Sequence, residues 1–216
     1  MTYCCLSLDD DDVDYWMGVA DAVMKLDGRV TFFPTFSKIT EEEWGALRDL
    51  MLVGHEIGVH SLTHIPLPPN PRYWFREVIH AANLIELYTG KIVTTHAMPY
   101  GQTSPELIQW YKDKTTFLGV RSVGHVIKPL SEIDPFDVPV MDRDWLKGDG
   151  TEKTVRENAG KYLNICREAV APFLFYSHNQ ENMTVDQIGW VVDELHQRGE
   201  TFITFAEFMM AIRIST

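Results

Sequence analysis

Basic residues are scarce in this chain: 19 Lys and Arg stand against 31 Asp and Glu, a formal charge of −12. That field repels phosphate polymers and anionic lipid surfaces, so neither nucleic acid nor a membrane is expected as a partner. Cysteine is scarcer still, with 3 in 216 residues. Cys4 and Cys5 are adjacent and Cys166 lies far off, a spacing that makes no disulfide framework and suits a reducing compartment. No stretch approaches the ~20 apolar residues of a membrane span, no secretion signal precedes the first strand-like run, and Met1 fits an intact start, so a cytoplasmic location is expected. Repeats and low-complexity tracts are absent too, which excludes solenoids and long disordered linkers. The chain that remains, 45% hydrophobic and 23% charged over residues 1–216, fits one domain of roughly 150 to 250 residues.

Short apolar, β-rich runs alternate with longer amphipathic ones, the pattern of a parallel sheet linked by crossover helices. Strands are expected at Tyr3–Leu8, Val30–Phe33, Glu56–His60, Lys91–His96, Phe117–Val123, Asp137–Met141, Pro172–Ser177 and Thr201–Phe205. Helices are expected over 14–26, 40–53, 71–88, 104–113, 151–170 and 184–198, the second opened by a Thr40/Glu43 capping box and the third closed by Gly90. This count of strand–helix cycles suits a closed or nearly closed barrel better than a five-stranded open sheet. Chemistry in such folds gathers at the C-terminal ends of strands.

Four polar clusters follow expected strand ends: Asp9 to Asp12, His60 to His64, Asp142 to Trp145, and Ser177 to Asn179. Taken alone, the aspartate run reads as a solvated loop capping a helix. His60 and His64, four apart, place two imidazoles on one side of a turn and suit a tetrahedral metal completed by a carboxylate and water. His178 alone reads as a buried histidine hydrogen-bonded to backbone. Brought to one rim, carboxylates and histidines of this kind supply a metal site, a base and an acid, the set for metal-assisted hydrolysis of an amide or ester.

These residues resemble the NodB-homology polysaccharide deacetylases, carbohydrate esterase family 4, over residues 3 to about 210. The family's Thr-Phe-Asp-Asp-Gly resembles Ser7-Leu8-Asp9-Asp10-Asp11, and its Gly-His-Glu-Ile-Gly-Asn-His-Thr-x-x-His is nearly intact from Gly54 to His64. Arg-x-Pro-Tyr-Gly survives as Ala97-Met98-Pro99-Tyr100-Gly101, the fourth motif as Asp144-Trp145, and Leu-x-His as Tyr176-Ser177-His178. The resemblance implies a distorted (β/α)7 TIM-like barrel that deacetylates a carbohydrate through water bound to one divalent metal, zinc foremost, with cobalt and nickel also suited to N/O ligands. It implies Asp10, His60 and His64 as ligands, Asp9 as base and His178 as acid. Tyr100 would help hold the oxyanion, Trp145 and Tyr176 would line the acyl pocket, and Asp144 and Arg143 would support them. A one-residue slip would instead make Asp10 the base and Asp11 the ligand; the apolar alternation of Leu6 and Leu8 favours the first register.

Three positions depart from the family pattern. Ala97 stands where the family has an Arg beside the catalytic Asp, and Arg143, Arg121 or His96 are candidates to fill that space. Tyr176 replaces a Leu, either narrowing the acyl site or packing in the core, and Asp11 replaces a Gly. Elsewhere His55 is expected to fix a turn, His80 and His196 to lie at the surface, His125 to lie in a solvated loop, and Trp74, Trp110 and Trp190 to pack in the core. The exchanges at Ala97 and Tyr176 leave one rival reading, a sugar-binding pseudoenzyme. The resemblance leaves a second, a cyclic-amide hydrolase of the allantoinase kind with the same barrel, disfavoured because such relatives tend to lose parts of the metal triad that is complete here.

Overall fold

The structure is a computed structural model that describes residues 2–124, 127–142 and 147–214. Among these, seven strands form one parallel sheet: β1 (Cys4–Asp10), β2 (Thr31–Pro34), β3 (Glu56–Ile57), β4 (Thr95–Ala97), β5 (Gly119–Val123), β6 (Val138–Asp142) and β7 (Phe173–Ser177). The order is β3-β2-β1-β7-β6-β5-β4, so the first strand lies at the centre beside the last. The edge strands meet beyond β3, where Val59 N–H donates to Thr95 O at 3.1 Å and Ala97 N–H to Val59 O at 2.9 Å. Those two bonds curl the sheet into a barrel that is narrowly stitched at one seam.

The crossovers begin where the sequence signals them. Asp12 caps α1 (Val13–Met24), Thr40 and Glu43 close a reciprocal capping box on α2 (Glu41–Leu52), and Pro71 opens α3 (Pro71–Trp74). A π-helical stretch, Phe75–His80, joins α3 to α4 (Ala81–Thr89), which Gly90 ends in the left-handed conformation that glycine adopts without steric cost. Then follow α5 (Pro105–Lys114), α6 (Glu152–Glu168), α7 (Val185–Gln197) and α8 (Phe205–Ile214).

The expected eighth strand at Thr201–Phe205 is a correction: only Phe202 bridges to Cys4 there. Thr204 ends the extended run instead. Its N–H donates to Glu207 Oε2 at 2.8 Å while its Oγ1 accepts from Glu207 N–H at 3.1 Å, a reciprocal cap that starts α8. That helix plugs the barrel. Phe205, Phe208 and Met209 pack against inward residues Cys5, Phe33, Val138, Val140 and Leu174, while Cys4, Leu6 and Leu8 face the outer helices in a second cluster. Period-two alternation along β1 therefore aims Cys5, Ser7 and Asp9 into the barrel. Trp74 is buried and Trp110 and Trp190 pack against the outer cluster as expected, with His80 and His196 at the surface. No described helix is long and apolar enough to cross a membrane.

Candidate active site

The four aspartates after β1 point to different tasks. Asp9 continues the inward face and is 2% exposed. Asp10 adopts φ +80°, which breaks the alternation and turns its carboxylate along the rim. Lys38 Nζ lies 3.8 Å from both Asp11 Oδ2 and Asp10 Oδ1, and Asp12 Oδ1 accepts from Tyr15 N–H at 3.3 Å. Asp10, not Asp11, is the carboxylate that meets the histidine pair.

Asp10 Oδ1 lies 3.3 Å from His64 Nε2 and 3.9 Å from His60 Nε2, and among the described residues it accepts no hydrogen bond. One donor atom from each of Asp10, His60 and His64 falls within 4.8 Å of the others. Tetrahedral zinc ligands at 2.0–2.1 Å lie roughly 3.4 Å apart, so this donor set fits a divalent ion with little movement. The tautomer fits as well: His60 Nδ1 sits 2.8 Å from Ala97 O, and a carbonyl only accepts, so Nδ1 carries the proton and the Nε2 lone pair faces Asp10. Burial holds the His60 imidazole neutral, with its pKa lowered to about 4.

The loop between the histidines is strained. Ser61 at φ +89° and His64 at φ +58° are left-handed without being glycine, a cost of about 1–3 kcal/mol each. Local bonds oppose that cost: Ser61 Oγ accepts from His64 N–H at 2.8 Å, and Phe36 and Ser37 N–H groups donate to Ser61 and Leu62 carbonyls at 3.1 and 2.9 Å. The Tyr100 hydroxyl donates to His64 O at 3.3 Å, and the two rings lie 4.9 Å apart.

Beneath the histidines, Arg121 on β5 donates a short charge-assisted hydrogen bond from Nη2 to Asp9 Oδ2, with both side chains buried. Arg121 is the cross-strand partner of Ala97. Its guanidinium lies between two rings, 4.7 Å from the Tyr176 centroid and 5.5 Å from that of Phe33. Of the three residues expected to fill the space at Ala97, Arg121 does so. His96 points the other way by strand alternation, with Nδ1 2.6 Å from the Tyr111 hydroxyl. Arg143 lies outside the described residues, as do Asp144, Trp145 and His125.

His178 follows β7, with Nδ1 3.1 Å from Asn182 Oδ1. Asp9, His60, His64, Tyr100, Tyr176 and His178 line one cleft of about 290 Å³, completed by Met98, Gly101 and Val123. Tyr176 is packed in the inner core and also lines the cleft. His55 is buried away from the cleft and accepts from Val30 N–H at 3.1 Å, fixing the turn into β3. Several residues at the cleft were not among the expected site residues: Asn182 beside His178, and Met98 and Val123 in the lining.

Comparison with known proteins agrees with this geometry. Residues 2–117 match the family described as Polysaccharide deacetylase, and the chain belongs to that family. The match contains Asp9, Asp10, His60, His64 and Tyr100 and ends before Arg121 and His178. No curated protein matches the sequence. Among solved structures, the Xyl-CE4 domain of a multidomain xylanase from the hindgut metagenome of Trinervitermes trinervoides superposes with a TM-score of 0.70 at 16% identity, covering 97% of this chain and 90% of that one. A family 4 acetyl xylan esterase from Clostridium thermocellum, solved with a cobalt ion, gives 0.66 at 19% identity, covering 97% and 91%. A CE4 family pseudoenzyme from Bacillus anthracis gives 0.66 at 15% identity, covering 96% and 65%. These likenesses share the curled parallel (β/α)7 barrel.

Proposed function

We propose that this chain is a metal-dependent deacetylase that hydrolyses the acetyl amide, or an acetyl ester, of an acetylated sugar, oligosaccharide or polysaccharide. The observation that carries the reading is one cleft lined by two imidazoles, which meet the Asp10 carboxylate as a donor set, by a buried ion-paired carboxylate and by a separate hydrogen-bonded histidine. Asp10 Oδ1, His60 Nε2 and His64 Nε2 would hold the ion, with zinc foremost and cobalt or nickel suited to the same donors. A bound divalent ion supplies Lewis acidity, which activates water and polarises a carbonyl.

The remaining work falls to the chain's own groups. Asp9 accepts the proton of the attacking water as the oxygen bonds to the acyl carbon, and Arg121 holds that carboxylate in place. His178 donates a proton to the departing nitrogen, or alkoxide oxygen in an ester, as its bond to carbon breaks. Acetate and the free amine or alcohol result. Asn182 orients His178 through Nδ1, and the Tyr100 backbone amide stabilises the developing oxyanion. Met98, Val123 and Tyr176 wall the acetyl methyl group, with Trp145, Asp144 and Arg143 assigned to the same rim by resemblance. The exchange at Ala97, which favours a binding-only module, carries less weight once Arg121 occupies the space.

Variants test the assignment directly. Asp9→Asn and His178→Ala are expected to bind zinc like the parent while acetate release collapses, whereas Asp10→Ala loses both. Retained turnover in Asp9→Asn at saturating zinc would remove Asp9 from the mechanism.

A further inference from the structure

We infer that Glu77, outside the cleft, is a positioning residue for the histidine loop and so sets the affinity of the metal site; the inference rests on the proposed function only in taking His60 and His64 as ligands. Glu77 lies in the π-helical stretch Phe75–His80 and is fully buried. A carboxylate there needs partners, because the charged form loses its hydration. All its partners are in place. Oε2 accepts from Thr63 N–H at 2.9 Å and from Thr63 Oγ1 at 3.0 Å. Oε1 accepts from Arg76 Nε at 3.0 Å and Nη2 at 2.7 Å, and the half-exposed Arg76 in turn lies over the Tyr73 ring at 5.3 Å. The Glu77 backbone carbonyl accepts from Leu62 N–H at 2.8 Å.

One helix residue therefore holds two consecutive amides, Leu62 and Thr63, of the loop between the histidines. These amides sit between the two left-handed residues, Ser61 and His64. A loop whose ends are strained keeps its shape only where surrounding bonds over-determine it. The neighbouring carbonyls are held by Phe36 and Ser37 and the His64 amide by Ser61, but Glu77 is the charged acceptor among the contacts that hold the loop's peptide groups. π-Helical turns recur at functional sites, and this one delivers a carboxylate from a buried helix stripe to the amide and hydroxyl of Thr63, the residue preceding His64.

Two substitutions of similar size separate acceptance from bulk. Glu77→Gln retains an oxygen for Thr63, and Glu77→Met does not. Zinc alone, titrated against a chelating dye, is expected to bind the parent and Glu77→Gln alike and Glu77→Met 10- to 100-fold more weakly, the usual cost of losing an outer-sphere partner. In the metal-free proteins, hydrogen exchange at the Thr63 and His64 amides should quicken in Glu77→Met and not in Glu77→Gln. Val78→Ala, a neighbouring buried position, is expected to lower stability while leaving zinc affinity unchanged. The inference is overturned if Glu77→Met matches the parent in zinc affinity and exchange, if Gln impairs as much as Met, or if Val78→Ala weakens zinc equally. Should the parent itself bind no zinc, the metal-dependent reading fails, while the exchange measurement still decides whether Glu77 holds the loop.

Discussion

Arg121 and Ala97 are direct neighbours across the ladder of β4 and β5, and the guanidinium of one fills the barrel interior beside the methyl group of the other. The cation that pairs with Asp9 is thus borne by the strand next to the one on which the family motif places an arginine. Breaking such a buried pair leaves one uncompensated charge, at roughly 3–5 kcal/mol. Arg121→Met and Asp9→Asn are each expected to lower unfolding free energy by an amount of that order, and the double variant by clearly less than their sum. Denaturant unfolding of the four proteins measures the coupling. Strict additivity would mean that the pair contributes nothing as a pair.

The same relationship predicts a functional rescue. Arg121→Ala is expected to lower kcat/KM about 100-fold or more through misplacement of Asp9. Moving the arginine back across the ladder, in Ala97→Arg with Arg121→Ala, should restore part of that loss. An equally inactive double variant would show that the two positions are not interchangeable.

His178 is held by an amide rather than a carboxylate, through Asn182 Oδ1 at 3.1 Å from Nδ1. Asn182→Ala is expected to cut kcat about 10-fold or more while KM stays near the parent's, because orientation of the proton donor matters at the barrier more than in binding. A rise in KM with kcat preserved would place Asn182 in substrate binding instead.

His55 carries a pH dependence of stability. Burial, reinforced by the Arg29 charge, lowers its pKa from 6.5 to about 4. The unfolded chain therefore takes up this proton first as pH falls, so its contribution is complete above about 6.5 and is lost between there and about 4. One proton difference gives a slope of up to about 1.4 kcal/mol per pH unit. His55→Asn should flatten stability against pH in that window, as measured by urea midpoints at several pH values; an unchanged slope would place the titration elsewhere.

The fold was legible because its signals are local and redundant. The capping box at Thr40, the helix starts at Pro71, Ser104 and Thr184, and the stop at Gly90 fall within a residue or two of the observed boundaries. The eighth strand misled because Thr204-Phe205-Ala206-Glu207 contains a cap inside an apolar run, and the cap prevailed. Asp10, His60 and His64 were legible as a set because short motifs place Asp10 at the end of β1 and the two histidines in the loop that follows β3. Arg121 was one of three candidates for a gap, since only the barrel's parity and register decide which strand fills it. Asn182 was not legible as a partner of His178, because the turn after β7 brings the two together rather than helix or strand periodicity.

The most direct test of the account is acetate release from a panel of acetylated glycans and acetylated sugar nucleotides, run on the chelated protein and again after zinc or cobalt is restored. The account predicts no release after chelation and recovery with one equivalent of metal on at least one substrate class. Silence across the panel from protein that still binds one equivalent of metal would contradict it and favour a module that binds sugar without turning it over.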